Sequence, residues 1–290
     1  MKTTVACLSD VGLKRTNNED YLLVDEDRSI FILADGMGGH QAGEVASKIA
    51  VESAHAYLKD GLEGDGEEKT TFELLTGAIF RADEAIREKA KADLKLLGMG
   101  TTLIVMVMKE DIASICHVGD SRVYHIRGMA AESGGGGGAA ASVKDVSDVR
   151  DISDKERVGR TASVKDVKDV SDVSDKEIRQ VTRDHTMGDY LVEQKFMKPE
   201  DVPSFEWHIL TQAVGVSEDL TPESDLVKLE PGDILLLCSD GLNTMLTDSE
   251  IYQVVRRHRG HVKEGAQALV DEANQKGGLD NITVILIECG

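Results

Sequence analysis

At 290 residues, with 41% hydrophobic residues, the chain can bury a substantial core as one large domain or two small ones. Its formal net charge of −20 argues against a nucleic acid or anionic membrane partner, since a polyanion must be met by a basic face. No apolar run reaches the roughly 18 residues of a membrane span, and the amino-terminal MKTTVACLSD lacks the long apolar stretch of a secretion signal, so a cytoplasmic protein is expected.

Taken along the chain, strand and helix patterns alternate. Strands are expected at 20–24 and 30–34, where β-branched and aromatic residues concentrate. A helix follows over 42–59, with Val45, Ile49, Ala56 and Tyr57 contributing an apolar face, and a second over 71–92, where Leu75, Ile79, Ala82 and Ile86 recur at helical spacing. Further strands are expected at 102–108, 112–118, 121–127, 226–230, 233–238 and 282–288. Thr247 and Glu250 form a capping-box pattern ahead of a helix over 248–258, and Gly277 can stop one over 262–275. Hairpin-like spacing favours antiparallel sheets. Cys7, Cys116, Cys238 and Cys289 stand far apart without C-x-x-C spacing and read as buried, reduced thiols.

Four aspartates occupy turns at the ends of apolar runs: Asp35 in ILADGMGGH, Asp120 in HVGDSR, Asp240 in LLLCSDGL and Asp280 in GLDNITVILIE. Asp-Gly and Asp-Asn are ordinary turn dipeptides, but a strand end is also where a carboxylate can be held rigidly and aimed at a shared point. Carboxylates gathered without Cys or His suit the octahedral oxygen shells of Mg²⁺ or Mn²⁺.

The ordered set SDVGLKRTNNEDYLLVD (9–25), ADGMGGHQAGEVAS (34–47), GMGTTLIVMVM (98–108), VGDSRVYHIR (118–127), VTRDHT (181–186), CSDGL (238–242) and DNITVILIE (280–288) resembles the metal-dependent protein phosphatases of type 2C in their compact bacterial form. The resemblance implies an α+β fold, a four-layer α-β-β-α sandwich of two antiparallel sheets flanked by helix pairs, as one catalytic domain over 1–290. It implies hydrolysis of phosphoserine and phosphothreonine in proteins, with in-line attack and no covalent intermediate, at two Mg²⁺ or Mn²⁺ ions. Asp35 would bridge the ions, Asp240 and Asp280 would complete one shell, and Glu19 with the Gly36 carbonyl would join Asp35 at the other, with Asp20 beside it. Asp120 and Asp240 would hold a weaker third ion. Arg15, four residues before Glu19, takes the place of the phosphate-binding arginine. Met37 stands where eukaryotic relatives carry a histidine, which leaves His40 or a water as the leaving-group acid. Residues 187–213 would form a flap that touches the substrate, with His185 and Trp207 in structural roles. The implied partners are phosphoproteins made by a serine/threonine kinase; a monomer is expected, without nucleic acid or membrane.

Residues 128–177 depart from the family pattern. A glycine run at 134–138 precedes ASVKDVSDVRDISDKE (141–156), which returns as ASVKDVKDVSDVSDKE (162–177). Its apolar-x-Asp triplets match neither the helical nor the strand period, so a flexible insertion loop is expected. The alternative function is a catalytically weak relative that binds phosphoprotein or a regulatory partner through this insert.

Overall fold

The computed structural model describes residues 1–38, 42–63, 70–128 and 177–290. Its strands are β1 (Thr3–Asp10), β2 (Asp20–Asp25), β3 (Ile30–Met37), β4 (Gly100–Thr101), β5 (Leu103–Lys109), β6 (Ile112–Val118), β7 (Arg122–Ile126), β8 (Ile178–Gln180), β9 (Glu223–Lys228), β10 (Ile234–Cys238) and β11 (Ile282–Cys289). The helices are α1 (Ala42–Glu63), α2 (Thr71–Ala92), α3 (Met187–Glu193), α4 (Asp240–Asn243), α5 (Asp248–Arg257) and α6 (Val262–Gln275).

One sheet runs β1-β11-β10-β7-β8 and the other β2-β3-β5-β6-β9, with β4 added to β3. Their ladders are antiparallel, and the two-residue alternation of side chains divides each strand between two cores. In β3, Ile30, Ile32 and Ala34 pack with α1 and α2, whereas Phe31 and Leu33 pack with Leu235, Leu237, Ile285 and Ile287 of the opposite sheet. The outer face of the β1-β11-β10-β7-β8 sheet, including Leu236, Val284 and Leu286, packs with α5 and α6. These three cores make the expected α-β-β-α sandwich. No described helix is long and apolar enough to cross a membrane.

Local chemistry explains the element ends. Thr70 with Glu73, and Thr247 with Glu250, each form a reciprocal capping box that satisfies backbone donors at the starts of α2 and α5. In α2 the four predicted apolar positions are fully buried. In α1 the face is displaced: Ala46, Ala50, Val51, Ala54 and Leu58 are buried, Val45, Ile49 and Tyr57 are partly buried, and Ala56 is exposed. Small residues let this helix lie close to the sheet, a requirement that hydrophobicity alone does not reveal. The strand expected at 226–230 begins earlier, at Glu223, because its polar start pairs with β6 through His117↔Glu223 and Cys116↔Ser224. Cys116, Cys238 and Cys289 are buried free thiols, but Cys7 is exposed because β1 is an edge strand with an incompletely covered face.

β7 and β8 pair through Tyr124↔Gln180, His125↔Arg179 and Ile126↔Ile178. Just beyond this ladder the Arg127 amide donates to the Glu177 carbonyl at 3.1 Å, and the Gly128 amide donates to Asp233 Oδ1 at 2.7 Å. The body of the expected 128–177 insert, residues 129–176, lies outside the described residues, as does His40.

Candidate active site and metal centre

The acidic site starts with the β2–β3 ladder, which sets Asp20 directly opposite Asp35. Such a like-charge pair is unfavourable unless something offsets it. The Asp35 backbone is pinned: its amide donates to Thr102 Oγ1 at 2.9 Å, and its carbonyl accepts from the Thr102 amide at 2.9 Å and Thr101 Oγ1 at 2.8 Å. Thr102 Oγ1 also bonds Ser121 Oγ at 2.8 Å, tying the Asp120 turn to the Asp35 strand.

Asp240 opens α4 directly after β10, and Asp280 precedes β11. Their loops approach closely because Gly241 lies against the Asn281 carbonyl; a Cβ at Gly241 would sit 2.0 Å from that oxygen. Between them, Ser239 Oγ donates to Asp20 Oδ2 at 2.7 Å and accepts from the Thr283 amide at 2.9 Å. The other oxygen of Asp20, Oδ1, is buried with no partner among the described residues.

Burial, followed by the charges of Asp20, Asp240, Asp120 and Asp280, holds the Asp35 carboxyl well above its ordinary range. Burial likewise pushes Asp20 and Asp120 up to about 7, with the Asp240 charge adding to each, and raises Asp240, where Asp280 adds to the effect. Four acids are thus desolvated within reach of one another, and one carries an orphaned oxygen. That donor set fits hard divalent cations, which neutralise the mutual repulsion and complete the unmet coordination.

Glu19 and Arg15 arrive on the loop between β1 and β2. The Glu19 amide donates to Asn281 Oδ1 at 2.8 Å, while Asn281 Nδ2 donates to the Val11 and Asn17 carbonyls at 2.9 Å each. One buried side chain therefore fastens both halves of this loop beside Asp280. The Glu19 carbonyl accepts from the Gly36 amide at 3.1 Å. Gly36 in turn faces Gly43 so tightly that a Cβ at Gly36 would lie 2.2 Å from the Gly43 oxygen. Arg15 Nη2 donates to Asp280 Oδ2 at 2.7 Å and feels Glu19 and Asp35, so these residues share one rim. Burial raises the Glu19 carboxyl while Arg15 opposes the rise.

The described residues among those expected at the site, Arg15, Glu19, Asp20, Asp35, Gly36, Asp120, Asp240 and Asp280, are thus linked by ladders, bonds or mutual charge. Sequence reasoning missed Asn281, Ser239, Thr102 and Ser121. Each is a small polar residue beside a turn aspartate or facing one across strands, and that adjacency was the available signal.

The two ends of the 187–213 segment are held together by the Met187 amide donating to the Ile209 carbonyl at 2.8 Å and the Thr211 amide donating to the His185 carbonyl at 2.8 Å. Trp207 lies against Gly188 at the start of α3. Tyr190, Phe196, Phe205 and Ile209 remain exposed.

The sequence model of the family described as Protein phosphatase 2C matches residues 14–279. The chain is 32% identical over 294 aligned residues to protein phosphatase PhpP of Streptococcus pneumoniae, covering 98% of this chain and 96% of the relative. It is 30% identical over 285 residues to the serine/threonine phosphatase stp of Listeria monocytogenes, covering 97% and 93%. The Mycobacterium tuberculosis serine/threonine phosphatase PstP/Ppp superposes with a TM-score of 0.73 at 29% identity, covering 99% of this chain and 98% of that one. The catalytic domain of PstP solved with two manganese ions gives a TM-score of 0.71 at 29% identity, covering 99% and 97%. Matched along most of its length in sequence and in fold, the chain belongs to the protein phosphatase 2C family.

Proposed function

We propose that this protein is a metal-dependent serine/threonine protein phosphatase whose acidic rim takes two Mg²⁺ or Mn²⁺ ions. The observation that carries the reading is the buried group of Asp20, Asp35, Asp120 and Asp240, with one Asp20 oxygen lacking a partner and Arg15 at the edge. Asp35, Asp240 and Asp280 would hold one ion; Asp35, Glu19 and the Gly36 carbonyl would hold the other, with Asp20 behind them. Asp120 with Asp240 would hold a weaker third ion. When bound, such a pair supplies Lewis acidity and lowers the pKa of water near neutral pH, which suits direct hydrolysis without a covalent enzyme intermediate. The two manganese ions of the PstP catalytic domain support this composition.

The chain's own residues provide positioning. Arg15 is half-exposed, and its planar fork can hold two phosphoryl oxygens and offset charge as the phosphorus is attacked. Asn281 holds Glu19 in place, and Thr102 fixes the backbone of Asp35. The exposed aromatic side chains of the 187–213 flap give a protein substrate an apolar surface. The substrate is phosphoserine or phosphothreonine in a protein, the product of a serine/threonine kinase.

Phosphate release from a phosphothreonine peptide tests the reading. Turnover with Mn²⁺, its loss with EDTA and its loss in Asp240→Asn are expected. Folded, metal-loaded protein without turnover would overturn catalysis and favour a phosphoprotein-binding role.

A further inference from the structure

We propose that His117, His185 and Glu223 form a second cation site, suited to zinc-class ions and separate from the aspartate rim. The residues come from different parts of the chain: His117 from β6, His185 from the segment leading into the flap, and Glu223 from β9. In the β6–β9 register His117 lies directly opposite Glu223, and its ring stacks on that of His185 with centroids 4.9 Å apart. One ligand atom from each residue can be chosen so that all three lie within 4.8 Å of one another.

The state of His117 makes this more than proximity. Its Nε2 is 2.8 Å from the Arg183 carbonyl oxygen, which can only accept, so Nε2 carries the ring proton. Nδ1 then presents a lone pair, and this atom is buried with no hydrogen-bond partner among the described residues. A backbone carbonyl holding one imidazole nitrogen while the other faces inward is the arrangement that prepares a histidine to ligate a metal. Two imidazoles and one carboxylate suit Zn²⁺ or Co²⁺ better than the all-oxygen shells favoured by Mg²⁺. Access comes through Glu223, whose side chain is 33% exposed.

The other two ligands must exchange partners. Glu223 is paired with Arg183, but Arg183 also pairs with Glu193 and keeps that partner when Glu223 turns. His185 Nδ1 accepts from the Gly119 amide at 3.2 Å, and its Nε2 is 3.7 Å from Glu223. Ligation through Nε2 moves the ring proton to Nδ1 and gives up the long Gly119 bond. The cation therefore draws on the residue that joins the flap base, through Thr211, to the turn carrying Asp120. Its occupancy is expected to alter exchange of the flap's backbone amides.

Co²⁺ is the probe, added to protein already supplied with excess Mg²⁺. The expected result is one equivalent of Co²⁺ with the visible absorption of a nitrogen-containing, low-coordinate centre, retained in Asp240→Asn and lost in both His117→Asn and Glu223→Gln. Circular dichroism establishes that each variant is folded; partly exposed Glu223 serves if His117→Asn does not fold. Absence of the band in folded wild-type protein would overturn the proposal. Its persistence in folded Glu223→Gln, or its loss in folded Asp240→Asn, would also do so. Because the readout is spectroscopic, it stands or fails independently of phosphatase activity.

Discussion

Arg15 and Asp280 hold each other across the rim, with Nη2 2.7 Å from Oδ2. The two side chains assigned to phosphate and to cation are thus paired with one another, and each offsets the other's charge before either ligand arrives. Arg15→Ala removes the guanidinium fork while freeing Asp280. We expect kcat/KM for a phosphothreonine peptide to fall by about 10²-fold or more, the scale of losing one charge-stabilising group. Mn²⁺ affinity should hold or rise. Steady-state kinetics with calorimetric Mn²⁺ titration checks both; a large loss of metal affinity would place Arg15 in the metal site instead.

The buried acids give the metal-free protein a characteristic pH dependence. Asp20 and Asp120 are pushed up to about 7 from an ordinary value near 3.8. A raised carboxyl pKa means that folding favours the protonated form, so this contribution is fully present below the unfolded pKa and is lost as pH rises through about 7. With EDTA, Tm should therefore decline between pH 6.5 and pH 8; below that window His117, lowered to about 4 by burial, contributes the opposite slope. Glu223, held down to about 2, keeps its stabilising charge throughout that window and does not reverse the trend. Mn²⁺ should raise Tm more at pH 8 than at pH 5, and Asp20→Asn should raise the metal-free Tm at pH 8. A flat metal-free profile by scanning calorimetry would contradict this account.

Asn281 is expected to act on metal affinity without touching substrate. Its side chain fastens Glu19 to Asp280's loop through bonds to Glu19, Val11 and Asn17. Asn281→Ala should weaken Mn²⁺ binding by about 10- to 100-fold, the usual effect of removing a group that orients metal ligands. Raising Mn²⁺ should restore most of kcat. Loss of kcat that saturating Mn²⁺ cannot repair would show that Asn281 acts on another step.

These predictions also mark what the linear chain could reveal. Asp35, Asp240 and Asp280 were legible because each interrupts an apolar run at a strand end, and burial periodicity located α2 from Leu75, Ile79, Ala82 and Ile86. Asn281 was not legible as an anchor, since its partners at Val11, Asn17 and Glu19 lie far away in sequence. Ser239 similarly gains its role only when β10 meets Asp20 from β2. Ala56 was misjudged because the buried stripe of α1 runs through Ala46, Ala50, Ala54 and Leu58, which leaves Ala56 about 200° around the helix from Ala54, and alanine's weak hydrophobicity does not mark which side is buried. The edge strand β1 escaped because its half-exposed alternation is weak and its partner is the chain's last strand, β11.

The ends of the insert lead to the final prediction. The β7–β8 ladder, the Arg127–Glu177 bond and the Gly128–Asp233 bond already bring its two flanks together. Replacing residues 129–176 with Asn-Gly after Gly128 should therefore preserve the fold. At about 0.6 kcal/mol of closure entropy for each halving of the length that joins the flanks, the shortened protein should gain about 3 kcal/mol. Denaturant unfolding measures that gain. Activity toward a small aryl phosphate should be unchanged, because none of the residues assigned to the rim lies between 129 and 176. Activity toward phosphoprotein is the discriminating comparison: equal rates would leave the insert outside catalysis, while a selective loss would assign it to recognition of the protein substrate.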